Sequence, residues 1–345
     1  MLNIYPKLAP MAGLAGYGGG PTGLGLGGAA AFAITTNAFG DRAITAGGYI
    51  DDVGNKGMNW IEYHAIGSCA NGSDFGDLTE GRAGPMGVSN VARCAFGGGY
   101  NTSSPVRKNV IDYVAPATTG NASDFGDLSE GRSSPGGMGC DGRGIWGHGS
   151  KSSGQSDTMD YVAIDTTGNA TDFGNATIVS GECAGGGNGE IFTMAGGYNG
   201  GYTNDSIAYA VAATPGNATD FGNLTEGRDS TGSMCSDLNG SDRCVVNNGK
   251  AGSSYSNVLD YITISTPANA TDFGDATAAY HAASGTSDNS KGVMAGGNAG
   301  CANQNNCPNY NYIRQVTIGT TGNASNCATL ANSSGNKGSS SGAPS

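Results

Sequence analysis

The stretch "TTGNASDFGDLSEGR", from Thr118 to Arg132, decides the fold because the chain repeats it with small variations. "ANGSDFGDLTEGR" comes before it, and "TTGNATDFGNAT", "TPGNATDFGNLTEGR" and "TPANATDFGDAT" come after it. Measured at the Asp of each DFG, the copies are 50, 48, 48 and 52 residues apart, and a degenerate sixth copy reads "TTGNASNCATL". A period near fifty residues indicates a propeller or a repeat array.

Two other landmarks keep the same period, an apolar run that ends in glycines ("RCAFGGGY") and an alternating segment ("VIDYVAP"). The Tyr of the alternating segment precedes the Phe of DFG by 12 residues in all five full copies, whereas the interval from the glycine pair to that Tyr varies from 12 to 18 residues. The constant interval indicates two strands joined by one type of turn, and the variable interval indicates a surface loop. The sequence therefore predicts an all-β propeller of six four-stranded blades over residues 29–331.

We call the stretch from Thr118 to Arg132 and its copies the repeated phrase. Its amino-acid composition is that of a structural turn. Asn and Asp side chains bind nearby backbone amides, and Gly adopts backbone angles that other residues avoid. We expect the Asp residues to bind backbone amides or a ring of basic side chains, although Asp-rich turns can also bind Ca²⁺. The Phe residues are expected to pack between blades. The repeat residues, as Asp–Phe pairs and then the basic ring, are Asp74, Phe75, Asp124, Phe125, Asp172, Phe173, Asp220, Phe221, Asp272 and Phe273, and Arg42, Arg93, Arg143, Arg243 and Lys291.

The two ends of the sequence differ from the repeats. Residues 1–28 form a Gly/Pro-rich segment that we predict to be an extended anchoring or oligomerisation arm. "AAAFAIT", beginning at Ala29, is the predicted innermost strand of the first blade, and "NCATLAN" is the predicted outer strand of the last. Residues 332–345 are of low complexity and are predicted to be a loose C-terminal tail.

Composition excludes several classes of function. Charged residues are 13% of the chain and the net charge is −12, which disfavours binding to nucleic acid or to anionic membranes. No apolar run is long enough to span a bilayer, so membrane insertion is not expected, and the N-terminus lacks the pattern of a signal peptide. The nine cysteines contain no CxxC pair. We predict mostly free, buried thiols, with Cys301 and Cys307 as one pair that could bridge.

The sequence does not predict an enzyme, a cofactor or a metal. Its three histidines occupy three different positions of the repeat, so they are not expected to converge on one metal. Glu80, Glu130 and Glu226 recur in "EGR" turns, which are interpreted as solvated corners rather than paired acid and base catalysts.

The repeats carry two resemblances to known families. The glycine doublet followed by a Tyr in the third strand resembles the kelch-type β-propeller, with the Phe of DFG standing where kelch blades have a Trp. The wording of the repeats, "TTGNA-[ST]-DFGDLT" followed by "R-x-x-x-x-GG" and "IDYV", resembles virion structural and tail-fibre proteins of bacteriophages, notably marine cyanophages. That resemblance implies a homo-oligomeric protein on the virion surface, attached to capsid or tail proteins through residues 1–28. It leaves open whether the protein is an appendage or a decoration.

One alternative is a host-binding adhesin that recognises cell-surface glycan. The irregular loops "GYIDDVGNKGMNW" and "NAGCANQNNCPNYNY" would provide its aromatic contacts, and the candidate residues are Tyr49, Trp60, Tyr310 and Tyr312. A propeller-fold enzyme that acts on glycans is a second alternative.

Overall fold

The computed structural model describes residues 40–50, 56–101, 104–140, 142–236, 242–298, 311–332 and 338–342. These residues form an all-β protein of six antiparallel blades with no helix among them, which confirms the predicted propeller. The N-terminal arm, residues 29–35, Tyr310, Cys301 and Cys307 lie outside the described residues.

In blades 2 to 6 the strands run along the chain from the innermost to the outermost, whereas blade 1 begins with its second strand. Blade 1 contains β1 (Arg42–Ala46), β2 (Tyr49–Ile50), β3 (Lys56–Gly57), β4 (Trp60–Ala65) and β5 (Ser73–Asp77). Blade 2 contains β6 (Met86–Ser89), β7 (Cys94–Gly97), β8 (Tyr100–Asn101), β9 (Ser104–Arg107), β10 (Val110–Val114) and β11 (Ser123–Asp127). Blade 3 contains β12 (Gly136–Cys140), β13 (Arg143–Gly147), β14 (Ser150–Lys151), β15 (Gly154–Ala163) and β16 (Thr171–Ser180).

The second half of the chain repeats this arrangement. Blade 4 contains β17 (Ala184–Gly187), β18 (Ile191–Ala195), β19 (Ser206–Val211) and β20 (Thr219–Asn223). Blade 5 contains β21 (Gly232–Ser236), β22 (Arg243–Asn247), β23 (Gly249–Ala251), β24 (Ser254–Ser256), β25 (Val258–Thr263) and β26 (Thr271–Asp275). Blade 6 contains β27 (Ser284–Ser287), β28 (Lys291–Ala295), β29 (Tyr312–Thr317) and β30 (Ser325–Thr329), and the last strand is β31 (Gly338–Gly342). The short pairs β2–β3, β8–β9 and β23–β24 are hairpins between the second and third main strands.

The first blade is completed by β31, which pairs antiparallel with β1 from Arg42↔Gly342 to Ala46↔Gly338. The tail at residues 332–345 was predicted to be loose, and "AAAFAIT" was assigned to this position, so both predictions differ from the structure. Innermost strands lie side by side around the axis, where a Cβ on Gly185 would overlap the backbone of Gly137. This crowding favours small residues, and "GSSSG" resembles the other innermost strands more closely than "AAAFAIT" does.

The repeated phrase joins each blade to the next. At the junction of blades 2 and 3, the Asp127 amide donates to Asn169 Oδ1 at 3.1 Å, and the Gly168 amide donates to the Phe125 carbonyl at 2.7 Å. A Cβ on Gly126, whose φ is 144°, would lie 2.5 Å from the Gly168 backbone, so this position needs glycine. We call the contact between the Asn side chain and the amide of the preceding blade the junction latch. All six junctions have one, made by Asn71, Asn121, Asn169, Asn217, Asn269 and Asn323.

The Phe of the phrase packs between blades, as expected. Phe75 lies in a buried cluster with Cys94, Phe96 and Val114 of the next blade, and it makes an edge-on contact with Tyr63 at 5.9 Å between ring centroids. The equivalent Tyr–Phe pairs in blades 2 to 5 have centroid distances of 5.7, 5.8, 5.8 and 6.1 Å. Burial of each Phe contributes about 1.5–3 kcal/mol.

Four of the seven described cysteines are paired, which contradicts the prediction of mostly free thiols. Cys69–Cys327 joins blades 1 and 6, so it crosses the junction where the ring closes, and Cys235–Cys244 joins two strands of blade 5. Cys94, Cys140 and Cys183 are buried. The pairing was missed because Cys69 and Cys327 become neighbours only when the first and last copies meet.

Candidate functional site

The basic ring does not pair with the Asp of DFG. The guanidinium of Arg42 lies 4.7 Å from the centre of the Tyr63 ring, and its Nη1 donates to the Pro116 carbonyl of the next blade at 2.7 Å. Arg93, Arg143 and Arg243 make the same two contacts, with rings at 4.8, 4.8 and 4.4 Å. The ion-pair alternative is therefore wrong for these residues, whose role is to hold a Tyr ring and a neighbouring turn. Lys291 instead donates to Thr317 Oγ1 at 2.6 Å.

All five DFG aspartates are exposed at the outer strands. Asp172 and Asp272 accept from the amides of Gly174 and Gly274 at 3.2 Å, which is the backbone role that the sequence suggested. Carboxylates spread around the perimeter in this way do not converge on one point, so they do not form a single site.

The arginines of the "EGR" turns are fully buried, and the interpretation of these turns as solvated corners is wrong for them. Each arginine reaches into the next blade and pairs with the Asp that precedes the third-strand Tyr. The pairs are Arg82–Asp112 at 2.6 Å, Arg132–Asp160 at 2.9 Å and Arg228–Asp260 at 2.8 Å, with no exposed side-chain surface on either partner. At the same place between blades 5 and 6, Arg314 replaces the Asp and its guanidinium lies 3.8 Å from the ring centre of Tyr280.

Two of the predicted ligand-binding residues occupy equivalent positions in neighbouring blades. Trp60 begins β4 and pairs with Asp77, while Tyr312 begins β29 and pairs with Thr329. Blades 1 and 6 meet where the ring closes, so these two positions lie in adjacent blades. Tyr312 is 41% exposed and Trp60 is half-buried. Tyr49 begins the hairpin strand β2 of blade 1.

The clearest departure from repeat symmetry lies on the axis, at the end of the propeller that carries the hairpins. The residue two positions before the start of each of five innermost strands has a left-handed backbone, with φ between 50° and 62°. We call these residues, Gly84, Ser134, Glu182, Ser230 and Ala282, the axial rim. Each amide from Ser134 onward donates to the carbonyl of the preceding rim residue at 2.7 to 3.0 Å, so the five residues form a hydrogen-bonded arc around the axis.

The axial rim surrounds a small pocket of about 40 Å³. Glu182 is the one charged member of the rim, and Ser230 Oγ lies 2.6 Å from Glu182 Oε2 and 3.1 Å from Asp229 Oδ1. Thr231 also lines the pocket, is 6% exposed, and has an Oγ1 without a hydrogen-bond partner. We call Glu182, Asp229, Ser230 and Thr231 the axial acidic cluster. Glu182, Ser230 and Thr231 line the pocket, and Asp229 contacts the Ser230 hydroxyl.

Burial governs the ionisation of groups around the pocket. It raises the pKa of Asp229 to about 6, and the nearby Glu182 carboxylate adds to this increase, while Lys250 opposes it. Burial also raises the pKa of the Cys183 thiol to about 12, so this pocket-lining cysteine stays protonated and is a poor nucleophile. The pKa of His281, which stacks on Tyr255, is lowered to about 4 by burial and by Lys250.

Sequence reasoning missed this cluster, although a signal was present. After the position of the "EGR" arginine, the five described copies read "AGP", "SSP", "GEC", "DST" and "HAA". Aligned in this way, Glu182 and Asp229 are the two carboxylates at positions where other copies have small residues or His. Residues that the copies share define the fold. A functional site is found at positions where one or two copies differ from the others.

No protein-family model matches the sequence, and no protein of curated function is significantly similar to it. Within the described ranges, no helix is long and apolar enough to cross a membrane. Across the same residues, no three or more His, Cys, Asp or Glu side chains are grouped as metal ligands.

Proposed function

We propose that the protein is a non-enzymatic structural propeller of a virus particle, displayed on its surface as an appendage or decoration. The observation that carries the proposal is the use of the repeated phrase at every junction. The side chains and amides that recur in the phrase bind the next blade, so the repetition builds a rigid ring instead of repeating a reactive site. The amino-acid sequence of these repeats resembles that of repeats in phage virion proteins, which supports the same assignment.

The closure of the ring also suits a protein that works outside a cell. Junction latches, buried Arg–Asp pairs and Cys69–Cys327 hold the blades together without any bound partner. Disulfides persist in oxidising surroundings such as virion surfaces, and they are rare in the cytosol. Attachment of the propeller through residues 1–28 remains part of the proposal.

The test is peptide mass spectrometry on density-purified virus particles from the source of this chain. We expect peptides from the propeller to co-purify with capsid and tail proteins at a constant ratio through two gradients of different media. A version of the chain without residues 1–28, supplied together with the full chain, should be absent from the particles. Recovery of the peptides only in the soluble fraction would overturn the proposal.

Recognition of cell-surface glycan is a second candidate, favoured by the placement of Trp60 and Tyr312 in adjacent blades. Aromatic faces on neighbouring blades can stack against successive sugar rings, and many copies on a particle would make weak binding effective. On a glycan array, we expect Trp60→Ala and Tyr312→Ala each to weaken binding at least tenfold. Tyr202→Ala serves as the control, since Tyr202 is 67% exposed on blade 4. An equal loss in the control, or no bound glycan, would reject this candidate, whereas cleavage of a bound glycan would favour the enzyme alternative.

A further inference from the structure

We propose that the axial acidic cluster binds a hard divalent cation of the calcium type at the mouth of the propeller axis. This site is distinct from the Asp-rich turns of the repeated phrase, and it is independent of the virion proposal.

The Ser230 hydroxyl cannot donate a hydrogen bond to both of its carboxylate neighbours. It lies within hydrogen-bond distance of one oxygen of Glu182 and one of Asp229. A hydroxyl has one hydrogen and can donate to one of them, which leaves the other carboxylate facing an oxygen lone pair. A cation between the two carboxylates removes this conflict, because it accepts electron density from both carboxylates and from the hydroxyl oxygen.

The Thr231 hydroxyl points to a ligand independently of the carboxylates. Thr231 is 6% exposed and lines the same pocket, and its Oγ1 has no hydrogen-bond partner. Buried hydroxyls are normally satisfied, so a hydroxyl without a partner in the wall of this pocket needs an explanation. A bound cation provides it, since an uncharged hydroxyl oxygen is a suitable calcium ligand.

Charge and size narrow the class of ligand. The four side chains offer only oxygen donors, which favour calcium or magnesium over transition metals. A pocket of about 40 Å³ holds an ion together with water ligands. Calcium tolerates irregular coordination, whereas magnesium demands a nearly ideal octahedron, so a rim of mixed side chains fits calcium better. Among the described residues, no cation lies within ion-pair distance of Asp229, although Lys250 influences its ionisation.

The experiment is isothermal titration of calcium chloride into the full chain after treatment with EDTA, with magnesium chloride as a parallel titrant. We expect one saturable calcium site per chain and magnesium binding at least tenfold weaker. Glu182→Gln should weaken calcium binding at least tenfold, and Thr231→Val, which keeps the shape of the side chain, should weaken it severalfold. Asp124→Asn is the matched control, because Asp124 is an exposed carboxylate of the repeated phrase.

Circular dichroism in EDTA establishes that each variant is folded before titration. The proposal is overturned if the wild-type chain shows no saturable binding up to about 10 mM calcium. It is also overturned if Asp124→Asn weakens binding as much as Glu182→Gln, which would place the ion at the Asp-rich turns. Equal affinity for magnesium would refute the calcium assignment.

Discussion

Removal of the Asp112 carboxylate should destabilise the propeller more than any exposed substitution. The carboxylate accepts from Arg82 Nη1 at 2.6 Å, from Thr79 Oγ1 at 2.6 Å and from the Thr79 amide at 3.2 Å. Three hydrogen bonds at about 1–1.5 kcal/mol each give about 3–4.5 kcal/mol. A similar range is typical when one partner of a fully buried ion pair is removed, because the other charge is left without compensation.

The assay is guanidinium unfolding of wild type, Asp112→Ala, Arg82→Met and the double variant, followed by tryptophan fluorescence and circular dichroism. We expect Asp112→Ala to lower the free energy of unfolding by about 3–5 kcal/mol. The double variant should be at least about 2 kcal/mol more stable than the sum of the single losses predicts, since it contains no unpaired buried charge. Asp124→Ala, at an exposed position, should change the free energy of unfolding by less than about 0.5 kcal/mol.

Two results would refute this reasoning. One is a loss below about 1 kcal/mol for Asp112→Ala, and the other is additivity of the two single variants within about 0.5 kcal/mol. The chain itself contains a comparison, because the junction of blades 3 and 4 has Ser180 and Ala208 where the junction of blades 1 and 2 has Arg82 and Asp112. The Arg–Asp pair is therefore not required for a blade to form. The loss in free energy of unfolding arises when one charged partner stays buried without the other.

Three further predictions concern the junctions and the axis. Gly126→Ala should cost more than about 3 kcal/mol in thermal unfolding, because its Cβ would meet the Gly168 backbone at a positive φ; a loss below about 1 kcal/mol would contradict the junction geometry. Non-reducing peptide mapping should recover Cys69 linked to Cys327, and both in thiol form would disprove the closure bond. Asp229 has a pKa raised to about 6, so its ionisation disfavours the folded state increasingly as pH rises from about 4 to above 6. In EDTA, Asp229→Asn should therefore be more stable than wild type at pH 7.5 and equal to it near pH 4, and a gap independent of pH would refute this assignment.

The fold could be predicted from the sequence because the same landmarks recur at constant intervals within each copy of the repeat. The constant interval between Tyr113 and Phe125 reflects a turn that the preceding blade holds in place, together with a bulge that packs on the next blade, so its length cannot vary. Phe125 was assigned to the blade interface because large aromatic side chains are buried wherever a repeat provides a neighbour. The number of copies then set the number of blades.

Pairing between distant residues could not be predicted in the same way. Arg132 looked exposed because it follows Glu and Gly in a turn, yet the turn directs it into blade 3, where Asp160 is its partner. A carboxylate partner for Arg143 is one of the two alternatives that the sequence leaves open, but its guanidinium lies 4.8 Å from the centre of the Tyr161 ring. The cluster at Glu182 and Asp229 depends on which turns converge on the axis. This convergence cannot be deduced from the order of residues along the chain.

The completion of blade 1 by β31 links the folding of the protein to its synthesis. Along the chain, β1 precedes all the other described strands and its inner partner follows them, so the contact between the two has the highest sequence separation in the sheet. Such contacts pay the full entropy of loop closure and form late. A chain that stops before Gly338 does not become a smaller propeller. It exposes the unpaired backbone of β1 as a sheet edge, which invites association with other unfinished chains.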